Sequence, residues 1–474
     1  MLFHSIDYLL FLPTVFLLYW FIFKNSYKAQ NYLILIASYI FYGLWDWRFL
    51  SLILFSTIVD YFVGQYIYHT RETKIRKIYL GISIFFNLGL LGFFKYFNFF
   101  IESWIDLLSL VGFQNNYNWT LKIILPVGIS FYTFQTMSYS LDIYFKKLKP
   151  VKDFISFAAF VGFFPQLVAG PIERASNLLP QILKPRIFYY QRGLQGLRLI
   201  LWGLFKKAVI ADSLAWRVEY SFNNYNSLDG GSLFLGLVYF SLQIYCDFSG
   251  YSDIAIGSAK LLGIELISNF KFPYFSKNIS DFWKNWHISL SSWFKDYVYI
   301  PLGGSKHSRL KTIRNIYVTF ILSGFWHGAN WTFILWGLTH ATLYIPSIII
   351  GNQFKFTKQQ ARVNGTIKKI KDLIQILFTF LLVTITWVFF RSESLTTSIE
   401  YMYLTMTKFS IPSDNRGGIF VISIFLIFEW FIKNDERNPL SFKNVYLRHS
   451  IYYIVMAMIY LKIGTEKEFI YFQF

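Results

Sequence analysis

The sequence predicts an all-helical, polytopic integral membrane protein, with roughly eleven or twelve transmembrane or re-entrant helices around a central tunnel. Of the 474 residues, 55% are hydrophobic and only 15% charged, against about 25% charged in a soluble domain. Apolar runs recur along the whole chain at lengths near the ~20 residues that one crossing needs. The 45 Lys and Arg gather in short segments between those runs, which is the positive-inside pattern. That placement accounts for the net charge of +19 without a nucleic-acid partner.

The first five runs are Tyr8 to Phe23, Tyr32 to Leu44, Phe49 to Tyr68, Ile78 to Phe100 and Leu121 to Phe145. The first lacks the basic leader and small-residue cleavage site of a signal peptide and reads as a retained helix. The turns after the first, third and fifth runs are basic, with Lys24 and Lys28, then Arg71 to Lys77, then Lys146 to Lys152. The second turn holds only Arg48, and Glu102 to Thr120 holds no Lys or Arg. Alternation of this kind places the amino terminus outside a cytoplasmic (inner) membrane. Later runs are Phe154 to Ala169, Gly193 to Leu214, Ser232 to Leu262, Ile316 to Ile350, Leu373 to Phe390, Ile419 to Phe431 and Ile451 to Ile463. No internal repeat or heptad pattern divides the chain, so residues 1–474 read as one membrane-embedded domain.

Two regions depart from simple crossings. Lys271 to Arg314 carries eight Lys or Arg among aromatic residues such as Phe282, Trp283, Trp286 and Trp293. It is too charged to span and too apolar for a loop, which predicts interfacial or re-entrant helices. Ile316 to Ile350 is longer than one crossing and has basic flanks on both sides, so it needs an even number of crossings or a re-entrant segment, with Gly324 and Gly328 marking the irregularity. Irregular backbone at membrane depth is tolerated where it is buried in protein or lines a cavity. A tunnel or funnel around that break is therefore expected.

Each region carries a histidine, His287 in Trp286 to Trp293 and His327 in Gly324 to Trp331, 40 positions apart. An ionisable group in or near hydrocarbon is a functional hypothesis by default, and an imidazole suits proton transfer near neutral pH. If the segment at His327 is helical, Asn330 and Trp331 share its face, where an amide would fix the imidazole tautomer. Trp286 lines up with Ser289, Leu290 and Trp293 in the same way. The alternative for each histidine is a hydrogen bond to a backbone carbonyl at a helix break. No second ligand stands at zinc-site spacing, so no metal is expected. His4, His69, His307, His340 and His449 read as end or surface residues, although His340 can share the face of Trp336. The single cysteine, Cys246, excludes an internal disulfide and reads as a small buried residue. Two further polar clusters interrupt apolar sequence, Phe163 to Arg174 and Gln243 to Asp253. They are read chiefly as positioning elements, with Gln166, Asp247 and Tyr251 as candidate tunnel residues.

At these residues the chain resembles the membrane-bound O-acyltransferase (MBOAT) family, in its bacterial branch of alginate and peptidoglycan O-acetylation. The matching stretches are Phe163 to Glu173, Tyr245 to Ala255, Asp281 to Ser291, Asp296 to Gly304, Gly324 to Trp331 and Phe469 to Phe474. The resemblance implies the MBOAT fold, with His327 as the family's active-site histidine and His287 at a second polar position held by Asn or His. It also implies acetyl transfer from cytoplasmic acetyl-CoA, a substrate and not a resident cofactor, across the lipid bilayer for O-acetylation of an exported or cell-envelope polysaccharide. An extracytoplasmic acetyltransferase partner would complete that transfer. In this frame His327 supplies the base, and helix-break amides or His287 the oxyanion stabilisation. Lys306, Arg309, Lys311 and Arg314 are suited to coenzyme A phosphates, while ordinary positive-inside charge explains them equally well. Tyr471 is a candidate acyl carrier, with an aromatic interface anchor as the plainer reading. Two alternatives stand beside this one: D-alanyl transfer from a carrier protein for teichoic acid, and a transporter or flippase without acyl chemistry.

Overall fold

A computed structural model describes residues 1–112, 119–354, 365–462, 467 and 469–470. Among them the chain is helical throughout, in the order α1 (Ile6–Leu17), α2 (Tyr27–Asp46), α3 (Leu50–His69), α4 (Thr73–Leu91), α5 (Phe97–Leu110), α6 (Ile129–Tyr144), α7 (Phe154–Val161), α8 (Phe164–Leu167), α9 (Ala175–Ile182) and α10 (Tyr190–Leu204). There follow α11 (Asp212–Asn223), α12 (Gly230–Leu261), α13 (Ile279–Asn285), α14 (Ile288–Phe294), α15 (Arg309–His327), α16 (Trp331–Phe354), α17 (Gly365–Arg391), α18 (Leu395–Thr407), α19 (Gly418–Ile432) and α20 (Val445–Tyr460). Side-chain caps set several starts: Ser26 for α2, Asp153 for α7, Asn278 for α13, Ser394 for α18 and Asn444 for α20. Each oxygen satisfies one of the amide hydrogens that a helix start leaves unpaired.

Among the described residues, five helical stretches are long and apolar enough to cross a membrane: Tyr27–His69, Thr73–Leu110, Gly230–Leu261, Trp331–Ile349 and Lys368–Arg391. Ile6–Ile22, Phe154–Leu167 and Gly418–Ile432 are shorter apolar helices. Several of the expected runs are therefore not full-length crossings. Leu121 to Phe145 becomes helical only at Ile129, after Gly128 at φ 75°, where an added Cβ would lie 2.6 Å from the Leu167 carbonyl oxygen. Gly193 to Leu214 is interrupted by a π-helical stretch, Phe205–Ala211, which carries two buried lysines.

The chain divides into two compact units, residues 1–200 with 254–267 and residues 201–253 with 268–474. In the first, α3, α4 and α6 pack together around Asp60, whose carboxylate accepts from Ser83, Ser140 and Asn87. In lipid such interhelical hydrogen bonds are worth about 0.6 to 2 kcal/mol each. Glu173 accepts from the Ile267 amide and the Asn177 side chain, each at 2.6 Å, and so ties two segments of this unit.

In the second unit α15 and α16 pack as a hairpin. The break between them spans residues 328–330. Gly324, expected as part of the break, is instead helical and marks close backbone approach: an added Cβ would lie 2.2 Å from the Phe333 carbonyl oxygen. Gly337 makes the reciprocal approach to the Phe320 carbonyl oxygen, at 2.3 Å. Small residues at such crossings let two backbones close on each other. At the start of α12, Asp229 accepts from the Ser232 amide and hydroxyl and from Ser410 and Ser413. Partial burial pushes its carboxyl up, but these donors outweigh it and hold the group well below the usual carboxylate range.

Candidate functional site

The second unit brings the two candidate histidines together. His287 separates α13 from α14 and sits in the left-handed region at φ 42°, a backbone state that non-glycine residues adopt at a cost and that is enriched at functional sites. Strand-like backbone pairing holds it there, the Ile288 amide donating to the Asn269 carbonyl at 2.8 Å and the Lys271 amide to that of Asn285 at 3.0 Å. His327 is the last residue of α15 and is 3% exposed. The two imidazole centroids lie 6.3 Å apart.

Aromatic rings enclose the pair. His327 meets Trp336 at 5.2 Å and Phe390 at 5.3 Å, both edge-on, and His287 meets Phe248 at 4.7 Å. Trp387 stacks on Trp336 and also touches Trp286. A third histidine belongs to this cluster. His340, read from sequence as an end or surface residue, is fully buried and packs at 4.8 Å on Trp336 and 5.0 Å on Trp283. The Thr386 hydroxyl donates to the Val383 carbonyl at 2.7 Å and lies 2.9 Å from His340 Nε2, so that nitrogen carries the hydrogen and donates to Thr386.

A cavity of about 680 Å³ lies beside this cluster within the same unit. Ser323, one helical turn before His327 on the same face of α15, lines it together with Trp283 and Phe320. Lys284, Lys295 and Arg309 supply its cationic lining, with Lys284 also 3.2 Å from Asp281. The lining thus combines apolar side chains, one helical turn from a buried histidine, with cationic side chains that suit an anionic group.

The remaining sequence candidates fall in several places. Asn330 lies in the break and not on a helix with His327, so it does not share that histidine's face. Its amide instead donates to the Glu393 carbonyl, and its oxygen caps α16 at the Thr332 amide. Trp331 is half exposed at the start of α16, while Trp286 is buried against Phe270, Phe282 and Trp387. Of the four proposed phosphate contacts only Arg309 lines the cavity; Arg314 turns to Asn315, and Lys306 and Lys311 are exposed off its lining. Asp247 pairs with Lys207 at 2.7 Å and accepts the Ile470 amide, and Tyr251 packs on Phe469. Gln166 belongs to the first unit, buried in α8. Tyr471 lies outside the described residues.

Sequence reasoning named Trp336 only as sharing a face with His340, and missed Asn269, Trp387, Phe390 and Thr386, and the pair Lys206 and Lys207. The lysines carried a signal, two adjacent cations inside an apolar run. Asn269, between Ser268 and Phe270 and two residues before Lys271, carried no such signal.

The pattern of the MBOAT, membrane-bound O-acyltransferase family matches residues 85–388, which include both histidines. The chain is 38% identical over 445 residues to a probable alginate O-acetylase of Pseudomonas aeruginosa, covering 92% of this chain and 82% of that protein. It is 36% identical over 421 residues to a peptidoglycan O-acetyltransferase of Helicobacter pylori, covering 83% and 77%. A teichoic acid D-alanyltransferase of Bacillus subtilis is 31% identical over 234 residues, 47% of this chain and 58% of that protein. A transporter without covalent chemistry does not fit these matches. The chain belongs to the membrane-bound O-acyltransferase family and is an acyltransferase of the membrane.

Proposed function

We propose that this protein takes acetyl groups from cytoplasmic acetyl-CoA and passes them across the membrane for O-acetylation of a cell-envelope or exported polysaccharide of the alginate or peptidoglycan kind. An extracytoplasmic acetyltransferase partner finishes the transfer. His327 acts as base on the attacking hydroxyl and His287 assists it. The hydroxyl oxygen forms its bond to the thioester carbon, the carbon–sulfur bond breaks, and the hydroxyl proton leaves on the imidazole and returns to the departing thiolate as coenzyme A. The observation that carries this reading is the pair of buried imidazoles 6.3 Å apart, one helical turn from a cavity with Lys295 and Arg309 in its lining. The relatives named as alginate and peptidoglycan O-acetylating enzymes support acetyl as the group moved.

The test is label transfer from acetyl-CoA in proteoliposomes that hold the purified protein, its envelope partner and a polysaccharide acceptor. His327→Ala is expected to lower the rate about 100- to 10,000-fold, the range that a positioned base contributes. Equal rates in the two proteins would overturn the assignment. The D-alanyltransferase relative supports a second reading, D-alanyl transfer from a carrier protein. Turnover with a D-alanyl carrier and none with acetyl-CoA would favour it.

A further inference from the structure

Asn269 stands behind His287 with both polar atoms of its side chain engaged. Its Nδ2 donates to Ser252 Oγ at 3.0 Å, and its Oδ1 lies 2.9 Å from His287 Nδ1 and accepts the Ser289 hydroxyl at 2.9 Å. Its backbone oxygen accepts the Ile288 amide. Asn269, Ser252, His287 and Ser289 are all at most 1% exposed, so these bonds do not compete with bulk water. An amide oxygen has lone pairs and no hydrogen. With Nδ2 turned to Ser252, the hydrogen between Asn269 and the imidazole therefore belongs to the ring. That leaves Nε2 as the ring's lone pair, and it has no partner among the described residues.

We propose that Asn269 is a positioning residue of the site, which holds His287 with its hydrogen on Nδ1 and its lone pair on Nε2. The role in acyl transfer rests on the function proposed above; the tautomer does not. Held this way, neutral His287 accepts a proton at Nε2 and has no free N–H to offer an oxyanion. It assists as an acceptor beside His327, and the oxyanion takes its donors elsewhere. The Ser252 and Ser289 hydroxyls flank the amide on its two sides and can donate or accept, so the tautomer of the ring reports the direction of the amide.

Nitrogen NMR of the full-length protein, labelled with 15N-histidine in nanodiscs and compared with His287→Gln to assign the ring, reads the tautomer directly. A protonated Nδ1 and an unprotonated Nε2 are expected. The reverse pattern, which goes with a reversed amide, overturns the proposal. Asn269→Asp keeps an oxygen acceptor and, ionised, has no hydrogen to donate, so it retains the NMR pattern and acetyl turnover within about threefold, whereas Asn269→Ala loses the pattern and lowers kcat about 10- to 100-fold at unchanged KM. Equal losses in the Asp and Ala variants also overturn it. Gel filtration and helix content check folding, and if the Ala variant does not fold, the Asp variant and Ser252→Ala carry the comparison. Should the intact protein turn over no acyl donor at all, the functional reading fails while the NMR pattern still decides the tautomer.

Discussion

Lys206 and Lys207 are at most 3% exposed, and burying two adjacent cations is costly unless each finds its counter-charge. Lys206 reaches Asp253 at 2.6 Å and Ser249 at 2.9 Å, and Lys207 reaches Asp247 at 2.7 Å and Asp212 at 2.8 Å. The π-helical stretch that carries them turns two consecutive side chains toward two carboxylates six residues apart on α12, Asp247 and Asp253. The pairs hold the segment that presents Phe248 to His287 and Ser252 to Asn269. Removing one partner strands the other, so Lys207→Met is expected to cost about 3 to 5 kcal/mol of stability. Replacing the acid as well, in Lys207→Met/Asp247→Leu, should recover part of that loss. Thermal unfolding of the intact protein, Lys207→Met, Asp247→Leu and the double variant in one detergent checks both statements, and a double variant whose loss is the sum of the two single losses would contradict the pairing. The sequence displayed Asp247 and Asp253 as a polar interruption, but their partners lie 40 or more residues earlier and nothing local joins them.

Glycine carries two different meanings in the α15–α16 hairpin, and only the fold separates them. Gly328 ends α15 after His327, whereas Gly324 and Gly337 sit inside their helices and admit the facing backbone. From sequence Gly324 and Gly328 were alike, both signs of an irregularity. A Cβ at Gly324 or Gly337 would meet a carbonyl oxygen at 2.2 or 2.3 Å, far inside contact distance, so the helices must separate to admit it. Gly324→Ala and Gly337→Ala are each expected to destabilise by about 1 to 3 kcal/mol, as overpacking does. They also shift His327 on α15 against Trp336 on α16, so label transfer from acetyl-CoA should fall in protein that remains folded. Gly81→Ala in α4, where an added Cβ meets nothing within 4 Å, is the control and should match or exceed the stability of the intact protein, since alanine is the better helix former. Thermal unfolding and turnover measured on all three decide the matter, with hairpin variants that behave like Gly81→Ala counting against close packing.

At the scale of the whole chain, the features written in local sequence were legible: the helical membrane character in the apolar runs, and His287 and His327 in tryptophan-framed stretches. The number of full crossings was less so, because Gly128 and the buried lysines at 206 and 207 interrupt runs whose hydropathy is continuous. The surroundings of the histidines were legible least. Asn269 and Phe390 reach them from segments that share no periodicity with the motifs, and Lys284 and Lys295, on α13 and just after α14, line the cavity in place of Lys306 and Lys311. Orientation is a property that charge predicts, through the cost of moving Lys and Arg across a membrane. On that rule the basic turns at 71–77 and 306–314 are expected on the cytoplasmic side, and the Lys- and Arg-free stretch from Glu102 to Thr120 on the other. Cys246, the single cysteine, is fully buried, so the natural chain offers little background to a membrane-impermeant maleimide. Glu102→Cys should react in intact cells, after access through any outer envelope is provided, whereas Lys74→Cys and Arg309→Cys should react only once the cytoplasmic membrane is opened. Labelling of Arg309→Cys from outside would place the cationic cavity lining away from cytoplasmic coenzyme A, and would remove the donor from the proposed reaction even if Lys74 behaved as expected.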